Sequence, residues 1–243
     1  MCSSDLGLLD LLGQLSDGES AVLGVTHAGP AEALGTCLPS SADHALADAF
    51  ETVRGEGRSR NVTLGDGRRI YIEVLAPPPS ILICGAGPDA VPLVHLLTGL
   101  GFAVTVADHR PLYLDTADWR GAKTSLGPAA TLDARLRLDV FHAAVVMSHH
   151  LASDEAYLAA LAQSPVRSVG LLGPRARRER LLSALGPTAA ALRPRLRGPV
   201  GLDIGAVTPE AIALAIAAEI HALAARRLAT IAGTCDEIGR AHV

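Results

Sequence analysis

Residues 81–90, "ILICGAGPDA", constrain this chain more than any other stretch. A short apolar run ends in two glycines, and a segment with helical spacing follows, the form of a strand–turn–helix. The stretch fits G-x-G-x-x-A. Gly85 makes the tight turn, Ala86 lies within it, Gly87 lets the backbone approach a pyrophosphate, and Ala90 keeps helix and strand close. An anion would sit over the helix N-terminus, where free N–H groups and the dipole favour it. Pro88 removes one donor from that seat. Twenty-one residues after Gly87, "VTVADHRP" ends a second apolar run in Asp108, where an acid can hold ribose hydroxyls. Arg110 can pair with a phosphate or with a nearby acid. The motif points to a nucleotide-type ligand. The plain alternative is a tight turn without one.

From Ile81 onward, strand and helix patterns alternate. "ILIC", "AVTVAD", "AAVVMS" and "SVGLLG" read as strands. "DAVPLVHLLTGL", "SDEAYLAALAQ", "ARRERLLSAL" and "TPEAIALAIAAEIHALAARRLATIA" read as helices. Short apolar strands alternating with helices predict an α/β fold, a Rossmann-like doubly wound parallel sheet. Its ligand crevice would lie beyond the carboxyl ends of the strands. Residues 7–76 differ. "SAVLGVTH" and "RRIYIEVL" read as strands, "LGLLDLLGQL" as a short helix, and "SADHALADAFETVRGEG" as a helix capped by Ser41 or Asp43. This reads as a small α+β domain over 7–76, expected to be incomplete. "APPPS" separates it from a C-terminal domain over 80–232, because three prolines favour an extended linker. Met1–Leu6 and Glu237–Val243 read as translated sequencing adapter and are expected to be foreign to the fold.

Apolar content of 49% against 19% charged residues suits a packed globular chain. A net charge of −4 argues against a nucleic-acid partner, which needs a basic surface. The four cysteines, Cys2, Cys37, Cys84 and Cys235, form no C-x-x-C pair and no zinc spacing. There is no signal-peptide pattern and no apolar run long enough to span a bilayer, so a cytoplasmic chain without a membrane partner is expected.

Other candidates follow the strands. Cys84, just before the glycine turn, reads as packing. His149 and His150 fall on the predicted ligand rim, with Ser153 or Asp154 as cap of the next helix, and their adjacency does not suit a metal. Gly173 and Arg175, in "GLLGPRARRERL", form a second strand–helix junction able to cradle an anion, before arginines read as a solvated face. The glycine-rich loop Gly201–Gly205 carries Asp203 and precedes a helix capped by Thr208 with Pro209 at its first position. Glu219 and His221 read as facing solvent. No G-x-S-x-G, H-E-x-x-H or P-loop is present, and no catalytic set stands out.

Taken in order, "YIEVLAPPPSILICGAGPDA", "GFAVTVADHRP", "VVMSHHLASDEAYLAAL", "VGLLGPRARRERL" and "GPVGLDIGAVTPEAIALAIAAEI" resemble the XdhC/CoxI family of xanthine dehydrogenase accessory proteins. The resemblance covers roughly residues 71–229. It implies a chaperone and not a turnover enzyme. Such a protein binds molybdenum cofactor, assists its sulfuration with a cysteine desulfurase, and delivers it to a molybdenum hydroxylase large subunit; a homodimer is left open. On that reading the glycine turn holds the phosphate of molybdopterin. Cys37 in "GTCLPSS" stands at the position of a family cysteine, while Pro88 and Pro174 replace a common histidine and serine. The rival reading is an NAD(P)-dependent oxidoreductase using the Gly85–Gly87 turn and Asp108.

Overall fold

The computed structural model describes residues 11–15, 19–31, 37–39 and 47–232, without the side chains of Cys37–Pro39 and of residues 226–232. Both expected adapter tails, and the expected caps Ser41 and Asp43, lie outside the described residues. Two compact units emerge, one within Met1–Pro78 and Ala225–Val243, the other Pro79–Ala224.

In the first unit, β1 (Ala21–Ala28), β2 (Cys37–Pro39), β3 (Arg60–Thr63) and β4 (Arg69–Leu75) form an antiparallel sheet ordered β2-β1-β4-β3. Helix α1 (Ala47–Glu56) lays Phe50 and Val53 on Val22, Ile70 and Ile72. A Cβ at Gly24 would stand 2.9 Å from the Phe50 ring, so the helix packs there because that residue is bare. β3, "RNVT", was not expected: it is short and polar and carries little periodicity.

The second unit contains β5 (Ser80–Cys84), α2 (Ala90–Gly99), β6 (Ala103–Asp108), α3 (Pro111–Thr116), β7 (Lys123–Leu126), β8 (Ala143–Val146), α4 (Leu151–Ala162), β9 (Ser168–Leu171), α5 (Arg175–Ala184) and β10 (Leu196–Arg197). Helix α6 follows as Pro209–Ala232. The strands make one six-stranded sheet ordered β10-β9-β8-β5-β6-β7, and every pairing is parallel. The predicted doubly wound sheet is what the chain builds.

Alternation along the strands explains the two layers of helices. Ile81, Ile83, Val104, Val106, Ala143 and Val145 point to one face, where they meet Leu93, Val94 and Leu97 of α2 and Ala213, Ile216 and Ile220 of α6. Leu82, Cys84, Ala144 and Val146 point to the other, where they meet Tyr157, Leu158 and Leu161 of α4 and Leu181 and Leu182 of α5. Each fully buried aliphatic side chain contributes about 1.5–3 kcal/mol of apolar transfer. A strand buried on both faces therefore has to be apolar throughout, as "ILIC" is. The sequence runs outward from β5 through β6 to β7, then returns to β8 on the other side. The reversal between β5 and β8 opens a crevice beyond their carboxyl ends, the usual ligand position in such sheets.

Candidate functional site

The turn after β5 is fixed by its neighbours. Gly85 has φ +119°, and a Cβ there would lie 2.6 Å from Ser148 Cα and 2.7 Å from the Met147 carbonyl carbon. Only glycine lets this turn press against the end of β8. The Gly85 N–H donates to the Ala107 carbonyl at 2.8 Å, and the Ala86 N–H donates to Asp108 Oδ2 at 2.7 Å. The turn is thus laced to the end of β6 on one side and packed on β8 on the other. Gly87 is buried in it.

Asp108 lies beneath the turn and not in the open crevice. Its side chain is 1% exposed. Besides Ala86, it accepts the Arg110 backbone N–H at 2.9 Å, Arg110 Nε at 3.0 Å and Arg110 Nη2 at 2.7 Å. His109 Nδ1 stands 3.3 Å away. Burial alone would push this carboxyl up, but the Arg110 guanidinium and the two backbone N–H groups outweigh it and hold the group down at about 2. The same pairing pushes the Arg110 guanidinium further up and keeps its charge fixed. The guanidinium carbon sits 4.1 Å over the Tyr113 ring centre, a cation–π contact that locks the fork in place.

Across the switch point, His149 adopts a left-handed backbone with φ +60°, uncommon for a residue with a side chain. That geometry brings its Nε2 to 2.6 Å from Asp89 Oδ2. Asp89 is the residue before α2, and its Oδ1 falls 2.7 Å from where a Gly87 Cβ would be. A carboxylate of the chain itself, paired to an imidazole, therefore covers the expected anion seat. His150 is the cap of α4 and accepts the Ser153 N–H, which corrects the expectation that Ser153 or Asp154 caps this helix. Asp154 is buried instead. It accepts Ser148 Oγ at 2.5 Å and Arg177 Nη2 at 2.6 Å, tying β8, α4 and α5 together. Arg177 is thus no part of a solvated face.

The remaining expected residues spread outward. Gly173 turns at φ +121° after β9 and leads into Arg175, which is exposed and makes no hydrogen bond or ion pair among the described residues. Asp203 is exposed on the loop after β10, also without such a partner among the described residues. That loop is held from below: the buried Glu219 accepts the Gly201 N–H at 2.6 Å and pairs with Arg197 at 3.1 Å. Glu219 therefore does not face solvent; His221 does, with its ring against the edge of Phe102. Cys84 is buried, which drives its thiol far up and makes it packing. Cys37 lies in β2 of the first unit, opposite Val25.

The structure brings Gly85, Ala86, Gly87, Asp108, Arg110 and His149 together around β5, β6 and β8. Asp89, Ser148 and Arg177 join them without having been singled out, and Asp154 joins them as a buried ion-pair partner where only a helix cap was expected. Only Asp89 carried a signal, as the acid inside the glycine motif at the head of a helix. Among the described residues no three His, Cys, Asp or Glu groups could hold a metal ion, and no helix is long and apolar enough to cross a membrane.

Strands in this order, with a glycine turn and charged side chains gathered over the switch point, define a Rossmann-like α/β domain. The chain belongs to the XdhC family: the XdhC Rossmann domain matches residues 81–220, more than half of it. It is 36% identical over 153 residues to a Bacillus subtilis (strain 168) protein named as a probable xanthine dehydrogenase subunit, covering 62% of this chain and 44% of that protein. It is 29% identical over 158 residues to the "Uncharacterized protein YqeB" of Escherichia coli (strain K12), covering 64% of this chain and 29% of that one. The chain spans less than half the length of these curated relatives. A crystal structure named as a xanthine dehydrogenase from Bacillus halodurans superposes with a TM-score of 0.64 at 21% identity, covering 97% of this chain and 85% of that one. At that identity the likeness is one of fold.

Proposed function

We propose that this chain binds molybdenum cofactor as cargo, assists its sulfuration, and delivers it to the large subunit of a xanthine dehydrogenase-type molybdenum hydroxylase, with a cysteine desulfurase as sulfur source. The observation that carries this reading is family membership over the residues that build the crevice, 81–220. The naming of a relative for xanthine dehydrogenase adds to it. The chemistry at the crevice is compatible with a phosphate-bearing cargo. With the seat over the glycine turn covered by Asp89, Arg110 at the end of β6 and Arg175 at the head of α5 are the donors that face such a phosphate. His149 and Asp89 can hold or pass a proton beside it. Cys37, at the position of a family cysteine, is the thiol that the resemblance places among the cofactor-binding residues. The NAD(P) reading is less well supported, since the acid it relies on is buried under the turn.

Native mass spectrometry after co-expression with the cofactor's biosynthetic enzymes tests the reading. A pterin-sized mass increment is expected, its stoichiometry giving the subunit count, together with co-purification of the hydroxylase large subunit. Absence of any releasable pterin, with NAD(H) retained instead, would overturn it.

A further inference from the structure

At the end of the second strand of a sheet wound in this order, a nucleotide-binding domain reads ribose through an acid that accepts hydrogen bonds from the vicinal hydroxyls. Here that carboxylate has no acceptor site left. A carboxylate offers about four lone-pair positions. Oδ1 of Asp108 takes the backbone N–H and Nε–H of Arg110; Oδ2 takes the Ala86 N–H and Nη2–H of Arg110. The Asp108 side chain is 1% exposed while the Arg110 side chain is 34% exposed, so the member of the pair that reaches solvent is the arginine. Its Nη1 makes no hydrogen bond among the described residues, and its plane is held against Tyr113. The position presents donors where a ribose reader presents acceptors.

We propose that Arg110 forms a subsite for a phosphomonoester dianion, with Asp108 as a positioning residue that aims the guanidinium and excludes a vicinal diol. The proposal rests on the cargo-binding reading above and narrows its ligand: the group at this strand end is a terminal phosphate and not a ribose. Two ligands share that chemistry, the phosphate of molybdopterin and the 2′-phosphate of NADP.

The full chain is titrated with oxidised molybdopterin, followed by pterin fluorescence, before and after phosphatase treatment. Calorimetry with 2′,5′-ADP, NAD and adenosine runs in parallel. The phosphorylated pterin is expected to bind about 10- to 100-fold more tightly than the dephosphorylated one, as a charge-assisted bidentate contact allows. NAD and adenosine, which carry the diol without a monoester, should not compete. Arg110→Met should erase the preference for phosphate. Arg110→Lys, which keeps the charge but not the fork, should retain part of it. Thermal melts establish that both variants are folded, and if Arg110→Met is not, Arg110→Lys decides, since an undiminished phosphate preference in it overturns the fork. The subsite is also overturned if NAD or adenosine binds as tightly as the phosphorylated probe, if the preference survives in folded Arg110→Met, or if neither phosphorylated probe binds. Binding of 2′,5′-ADP with an Arg110-dependent preference, and of neither pterin, would keep the subsite and remove molybdopterin as its cargo.

Discussion

Gly85 has no room for a side chain and sits at a φ that L residues avoid. Because the atoms a Cβ would meet are backbone atoms of Met147 and Ser148, nothing can swing away. Gly85→Ala is expected to cost about 2–5 kcal/mol from strain and overpacking together, read as a lower urea midpoint at unchanged m-value. Asp108 gives a prediction in pH. Its carboxyl is held at about 2 in the fold against 3.8 for an ordinary aspartate, so the folded state binds fewer protons than the unfolded one in that interval. Its contribution is therefore fully present above about pH 4 and is lost as pH falls toward 2, a loss of about 2 kcal/mol. Urea melts between pH 5 and pH 2 should show that slope, and Asp108→Asn should flatten it.

At the scale of elements, α4 owes its end to one distant side chain. The Arg195 guanidinium donates to the carbonyls of Leu161 at 2.9 Å, Ala162 at 3.0 Å and Ser164 at 2.8 Å, and to that of Val166. Leu161 and Ala162 close the helix and Ser164 and Val166 lie in the segment after it, so one side chain gathers the carbonyls of the helix end and of the turn that follows. Arg195→Ala should lower stability by about 1–3 kcal/mol, with amide exchange faster around residues 160–166 than elsewhere in the helix. Nothing at Arg195 in the sequence announces this role, since the contact closes over some thirty positions. The same distinction separates what was legible from what was not. Strands β5, β6, β8 and β9 and helices α2, α4, α5 and α6 are written in local periodicity, and were expected. β7 and β10 were missed because one is an exposed polar edge strand and the other is two residues long. The glycine turn and Asp108 were found from local pattern. The Ala86 donation to Asp108, the Asp89–His149 pair and the anchoring of Gly201 by Glu219 depend on long-range return contacts, which periodicity does not encode; the Arg110–Asp108 pair is two residues apart and was one of the two partners the sequence offered Arg110.

For the second unit as a whole, the parallel sheet separates two jobs onto its two ends. The crevice residues stand at the carboxyl ends of β5, β6, β8 and β9. At the opposite end, His142 Nδ1 accepts the Ser80 N–H at 3.1 Å and joins the starts of β8 and β5. His142→Ala should cost about 1 kcal/mol of stability in a thermal or urea melt while leaving the affinity for the phosphorylated pterin within twofold, roughly the scatter expected of a remote site. Equal loss of affinity and stability would mean that the ends are coupled through the strands. The family expected from "GLDIGAVTPE" and its companion motifs is the family the chain belongs to. That loop is legible because a glycine-rich turn before a capped helix is an unusual local pattern. Its rigid footing on Glu219 became visible only in the fold.

The way Arg110 fills Asp108 also bears on how such a domain drifts between ligands over evolutionary time. Two of the four hydrogen bonds that occupy the carboxylate come from a single side chain. Exchange of Arg110 for glycine would leave the turn laced through Ala86, yet return two acceptor positions to the surface. If Arg110 acts as proposed, that one exchange separates a chain that ignores ribose from one able to read it, and an Arg110→Gly chain that gained affinity for NAD would trace that path in the laboratory.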